Sequence, residues 1–64
     1  METLSRLIEH RGKKAEVHFT PHTLDRRIGV WSVKYWNEGM FLVQCVAGSK
    51  EEAHRDAEKF VGGA

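Results

Sequence analysis

The stretch from Gly29 to Ala47 limits the possible folds more than any other part of the chain. Trp31, Val33 and Tyr35 alternate with Val30, Ser32, Lys34 and Trp36; after a break, Phe41, Val43 and Cys45 alternate with Met40, Leu42, Gln44 and Val46. A period of two in aromatic and β-branched residues marks two extended strands. The link Asn37-Glu38-Gly39 predicts a three-residue hairpin loop with Gly39 in the left-handed region. That loop pairs Trp36 with Met40, Tyr35 with Phe41, Val33 with Val43 and Trp31 with Cys45. Trp31, Val33, Tyr35, Phe41, Val43 and Cys45 then share one face, the expected core side. Val30, Trp36, Met40, Leu42 and Val46 fall on the other, wetted by Ser32, Lys34 and Gln44. A two-residue turn at Glu38-Gly39 would mix these faces, because one step of register turns every side chain over.

The flanks extend this hairpin. Ala15, Val17 and Phe19 alternate with Glu16 and His18, predicting a strand that ends before Pro21, followed by a loop through Arg27. Ahead of it, Leu4, Leu7 and Ile8 stand at helical spacing behind Thr3, a good N-cap. Arg11 and Gly12 suit a helix end, so a short N-terminal helix is expected. After Gly48, Ser49 and Glu52 form a capping box. Ala53, Ala57, Phe60 and Val61 follow as one narrow apolar stripe, Glu51 and Arg55 sit four apart, and Gly62-Gly63 close the helix. The expected fold class is α+β: an α-β-β-β-α order, with a three-stranded antiparallel sheet and both helices packed on one face. Residues 1–64 form a single small domain, with an ordered core from about 3 to 61.

A chain of 64 residues lies near the lower limit for folding on one core, so partner binding is a ready source of extra stability. Ten Lys and Arg against nine Asp and Glu leave a net charge of +1. A strongly cationic tail is excluded, and any phosphate-binding surface must be local. The single cysteine, Cys45, excludes an internal disulfide. With no apolar run of roughly 18 residues and no cleavable leader pattern, a cytoplasmic chain without a membrane span is expected.

Catalysis has little to stand on. His10, His18, His22, His54 and Cys45 lack metal-ligand spacing, so no metal or other cofactor is expected. No glycine-rich phosphate loop or nucleophile constellation is present, and so short a chain has little room for a substrate pocket. The chain reads as a binding protein and not an enzyme.

The order of elements resembles a double-stranded-RNA-binding domain over nearly the whole chain. Leu4 to Lys13 is similar to that family's first helix and its exit. Pro21-His22 sits where the family carries a Pro and a His between its first strands. Gly48-Ser49-Lys50-Glu51-Glu52-Ala53 resembles the start of its second helix, where lysines span phosphates; Lys50 keeps such a position and His54 stands in for a later one. The resemblance implies duplex RNA as partner, with DNA possible. A second resemblance rests on Trp31-x-Val33-x-Tyr35 and Ser49-Lys50-Glu51-Glu52-Ala53. It is to the arm-type DNA-binding domain of phage integrases, in which the sheet face would enter a DNA groove and no N-terminal helix is needed.

Two surfaces follow. Arg6, His22, Arg26, Arg27, Lys50, His54 and Arg55 are the expected nucleic-acid contacts, from the N-terminal helix, the loop after the first strand and the start of the last helix. Trp36, Met40, Leu42 and Val46 make the alternative, an apolar outer sheet face for a protein partner or a homodimer, as in a small phage-encoded inhibitor.

Overall fold

The computed structural model describes residues 2–62. Among these, four strands run in sequence order as one antiparallel meander, β1 (Thr3–His10), β2 (Lys13–Pro21), β3 (Gly29–Asn37) and β4 (Met40–Ala47), followed by one helix, α1 (Lys50–Gly62). The α-β-β-β-α expectation is therefore corrected: the first element is a strand, the sheet has four strands, and one helix packs on it. Gly63, expected to end the helix with Gly62, lies outside the described residues. No helix among them is long and apolar enough to cross a membrane.

The misread first element has a physical cause. Leu4 pairs with His18 and Arg6 with Val17, so the register slips by one residue between them. This bulge absorbs Ser5 and brings Leu4 and Leu7, three residues apart, to the same face of one strand. Three-residue spacing normally signals a helix turn; here it signals a bulged strand. Arg11-Gly12 is not a helix end but a two-residue hairpin turn, with φ of 51° and 83°. Both positive angles suit the primed turn whose twist matches antiparallel strands. A helix of about nine residues is marginal alone, whereas the strand satisfies its backbone against β2.

The second hairpin repeats this device. Glu38 and Gly39 take φ of 51° and 82°, so the turn has two residues and Asn37 faces Met40. The expected three-residue loop and its pairings are thereby overturned. Trp36 meets Phe41, and a second bulge then restores parity, so that Tyr35 faces Val43, Val33 faces Cys45 and Trp31 faces Ala47. Val43 and Cys45 keep the helix-facing side but are exposed there, outside the core expected for them; Phe41 crosses to the other face. The Glu38 amide donates to the Gly12 carbonyl at 2.6 Å and ties the two turns together.

The helix starts as its capping box demands: Ser49 Oγ accepts from the Glu52 amide at 3.2 Å, and Glu52 Oε2 accepts from the Gly48 amide at 3.0 Å. Its narrow apolar stripe settles over β2 and β3. Ala15, Val17, Val33, Ala53, Ala57 and Val61 are buried there, with Ile8, Trp31, Tyr35, Ala47 and Phe60 packed around them. Three alanines in so small a core let backbone approach backbone. Ala57→Leu is expected to overfill this seam and cost about 1–3 kcal/mol. Gly39→Ala, where space is open and only backbone strain acts, is expected to cost about 1–2 kcal/mol. Both are read as lower urea midpoints at unchanged slope.

Candidate functional site

The expected nucleic-acid residues do not converge on one surface. Arg6 lies on the helix side of β1, donating to Glu58 Oε1 at 2.9 Å and to His54 Nδ1 at 3.2 Å. A guanidinium can only donate, so Nδ1 accepts and the His54 proton sits on Nε2, which is buried without a partner. His54 also faces Trp31 at 6.3 Å between centroids and is half-buried. Arg6 and His54 thus belong to the seam between helix and sheet. Arg27 is held by Asp25 through two contacts of 3.1 and 3.2 Å. His22 and Arg26 do meet, with Thr3, Pro21 and Thr23, around a depression of about 290 Å³. Lys50 caps the same end of the sheet with Nζ 5.9 Å from the Trp31 ring centroid, and Arg55 is exposed on the helix.

The face of the sheet away from α1 holds a denser constellation. Register sets three rows across it: Leu4, His18, Ser32 and Val46; Leu7, Glu16, Lys34 and Gln44; Glu9, Lys14, Trp36 and Phe41. Over the middle rows lies the Glu2 carboxylate. Lys34 Nζ donates to its Oε1 at 2.9 Å and Gln44 Nε2 to its Oε2 at 3.5 Å, while His18 Nδ1 stands 3.4 Å from Oε1. The His18 residue is only 8% exposed. Its Nε2 meets Glu16 Oε1 at 2.8 Å, and its Nδ1, facing Glu2, makes no hydrogen bond. Gln44 also donates to Ser32 Oγ at 3.1 Å. Three donor-capable side chains from three strands therefore close around one oxyanion.

Beside this cradle lies an aromatic pair. Trp36 and Phe41 meet edge to face at 5.3 Å, with Lys14 Nζ 4.5 Å above the Trp36 ring. Of the expected interaction residues, Trp36 is half-buried by these neighbours, while Met40, Leu42 and Val46 are exposed. Val46 and Trp36 share the open face as expected; Met40 lies opposite Asn37 on the helix side, and Leu42 sits at the bulge. Leu4, Leu7, Val30 and Phe41 are also about half exposed, so apolar groups flank the polar centre.

Sequence reading placed Ser32, Lys34 and Gln44 on one face but gave them no role, and it missed Glu2 and His18. Alternation in β2 carried the signal for His18. Nothing local carried it for Glu2, whose position depends on β1 being a strand. Among the described residues, no group of three or more His, Cys, Asp or Glu is arranged to hold a metal. No family model, curated protein or solved structure matches the chain.

Two carboxyls are held below the ordinary carboxylate range: Glu2 first by the Lys34 hydrogen bond, Asp25 first by the Arg27 side chain and then by the Arg27 amide. Lowered values mean that both contacts contribute above the unfolded-state pKa and are lost as pH falls through the folded one. A carboxyl-carbon NMR titration should therefore give low midpoints for both residues. Lys34→Ala should return the Glu2 midpoint upward and leave that of Asp25 in place.

Proposed function

We propose that the chain is a small nucleic-acid-binding domain that receives a strand across the open face of its sheet. The observation that carries this reading is that Lys34 and Gln44 donate to an oxyanion that His18 Nδ1 also faces, with the Trp36–Phe41 pair one row from Lys34. Phosphate contacts position a strand, and aromatic faces stack its bases without sequence preference. The order sheet-then-helix, with no helix ahead of it, is shared with the arm-type DNA-binding resemblance, which is to a three-stranded sheet where this one has four strands. Single strands suit this surface better than duplex RNA, because the first-helix contact region implied by the other resemblance is here a strand. The free Cys45 is in keeping with a reducing cytoplasm.

Charge sets the strength. Lys14 and Lys34 are offset on this face by Glu2, Glu9 and Glu16, so few phosphates can be neutralised at once. Engaging about two phosphates gives a log–log salt slope of about −1.4 for single strands. Such a slope, measured with a labelled single strand, together with a loss of about 1–3 kcal/mol on Trp36→Ala, is the expected result. Binding that ignores both salt and Trp36 would exclude this reading.

A second reading has its own observation. β4 is a sheet edge with no charged residue, and Met40, Phe41, Leu42, Val43 and Val46 along it are 47–75% exposed. Long uncharged edges and apolar patches favour pairing with another chain. Under this reading the domain is a protein-interaction or homodimerising module, and sedimentation shows a dimer that Val46→Lys disperses.

A further inference from the structure

We propose that His18, Lys34 and Gln44 form a phosphate seat on the open sheet face, and that Glu2 is its built-in competitor, occupying the seat until a backbone phosphodiester displaces it. This inference rests on the nucleic-acid reading and adds to it the contact atoms and an intramolecular control.

The seat is built from the sheet itself. His18, Lys34 and Gln44 stand on β2, β3 and β4, in adjacent rows of one face, so register fixes their spacing. All three approach the same carboxylate, at 3.4, 2.9 and 3.5 Å. The histidine makes the site more than a surface ion pair. Its side chain is nine-tenths buried, Glu16 takes its Nε2, and its Nδ1 points at the seat without a hydrogen bond. With the single ring proton on Nε2, Nδ1 presents a lone pair to the Glu2 carboxylate, an unfavourable meeting of two acceptors. A ring protonated on both nitrogens donates to Glu16 through one and to the seated oxyanion through the other. Carboxylate and phosphodiester meet this nitrogen alike, so the ring makes the position an anion seat and leaves the choice of occupant to the other contacts.

The occupant is also placed to leave. Glu2 precedes β1, which begins at Thr3, so its side chain can swing off the sheet without breaking a strand pair. It is partly exposed, and exposed ion pairs are weak and screened by salt. Once Glu2 lifts, Lys34 is freed and the centre of the face becomes more positive, while Glu16 stays engaged with His18 and Lys14. A phosphodiester carries the same charge as a carboxylate and more acceptor oxygens. Same-face neighbours along a strand lie about 6.6–6.8 Å apart, which sets the Trp36–Phe41 pair one row away for the adjoining base.

The test uses the full chain and a fluorescein-labelled oligodeoxythymidine of about 12 nucleotides, within the usual site size for single-strand binders. Glu2→Ala should tighten binding about two- to fivefold, the range a surface ion pair can gate, and Glu2→Gln should do so by less. Lys34→Ala should weaken binding, and Glu2→Ala should bring no gain when added to it, because the two act at one seat. Amide spectra confirm that each variant is folded, and Lys34→Gln replaces Lys34→Ala if that variant is not. If the native chain binds but Glu2→Ala changes nothing, or its gain survives the loss of Lys34, the seat is refuted and the nucleic-acid reading stands. If no variant binds the strand, both fall. If inorganic phosphate competes as well as the strand at equal phosphate concentration, the site is one for free anions and the proposal is overturned.

Discussion

The close seating of α1 on the middle of the sheet governs everything else in this molecule. Ala53 and Ala57 on the helix, and Ala15 beneath them, carry almost no side chain, so the helix backbone comes down onto β2 and β3. Val17 and Val33 fill the floor and Val61 closes one end. Around this narrow seam Trp31, Tyr35 and Phe60 act as side walls, with Tyr35 and Phe60 at 4.7 Å and Phe19 and Trp31 at 4.8 Å. A core of this size suits a chain that buries only about 60% of its unfolded surface. It also means that one layer of the fold is covered and the opposite face of the sheet is not.

An uncovered sheet face must manage its polar groups without a second layer, and this one does so through crossed pairs. Glu16 holds His18 and reaches Lys14, Glu2 holds Lys34, and Gln44 links Glu2 to Ser32. Apolar residues stand at the margins, with Leu4 and Leu7 on one side and Phe41 and Val46 on the other. The pairs keep the face near neutral, which agrees with a net charge of only +1 over the chain. Each base of this network is engaged by an acid. On the proposed reading, an incoming anion must displace one of these acids, so control comes from within the chain.

How much of this was legible in the sequence varies by element. The start and the buried stripe of the helix were legible: the Ser49–Glu52 box and the Ala53–Ala57–Phe60–Val61 stripe are local patterns, and local hydrogen bonds and spacing decide them. The strands around Ala15–Phe19, Val30–Trp36 and Met40–Val46 were legible as strands, although β2 runs on at both ends to Lys13 and Pro21. The pairing of the last two was not. Glu38-Gly39 makes a tighter turn than the loop expected from Asn37, and the bulge at Leu42 then hides the change by returning Val43 and Cys45 to their expected side. The first element was misread because a bulge at Ser5 imitates helical spacing. In both hairpins the deciding feature is an extra residue in one strand, which becomes visible only once the partner strand is known. The proposed site shared that fate: Lys34 and Gln44 could be assigned to a face, whereas Glu2 reaches them only because β1 pairs with β2. Arg6 and His54 meet in the seam between helix and sheet for the same reason, since a strand at β1 points Arg6 at the helix.

A working surface on the side of the sheet turned away from α1 has a clear signature in NMR shifts of amides and side chains during addition of a single-stranded oligonucleotide. The largest changes should fall on Lys14, Ser32, Lys34, Trp36 and Gln44, with α1 unmoved. Changes confined to Arg26, Lys50 and Arg55, with the open face silent, would contradict it.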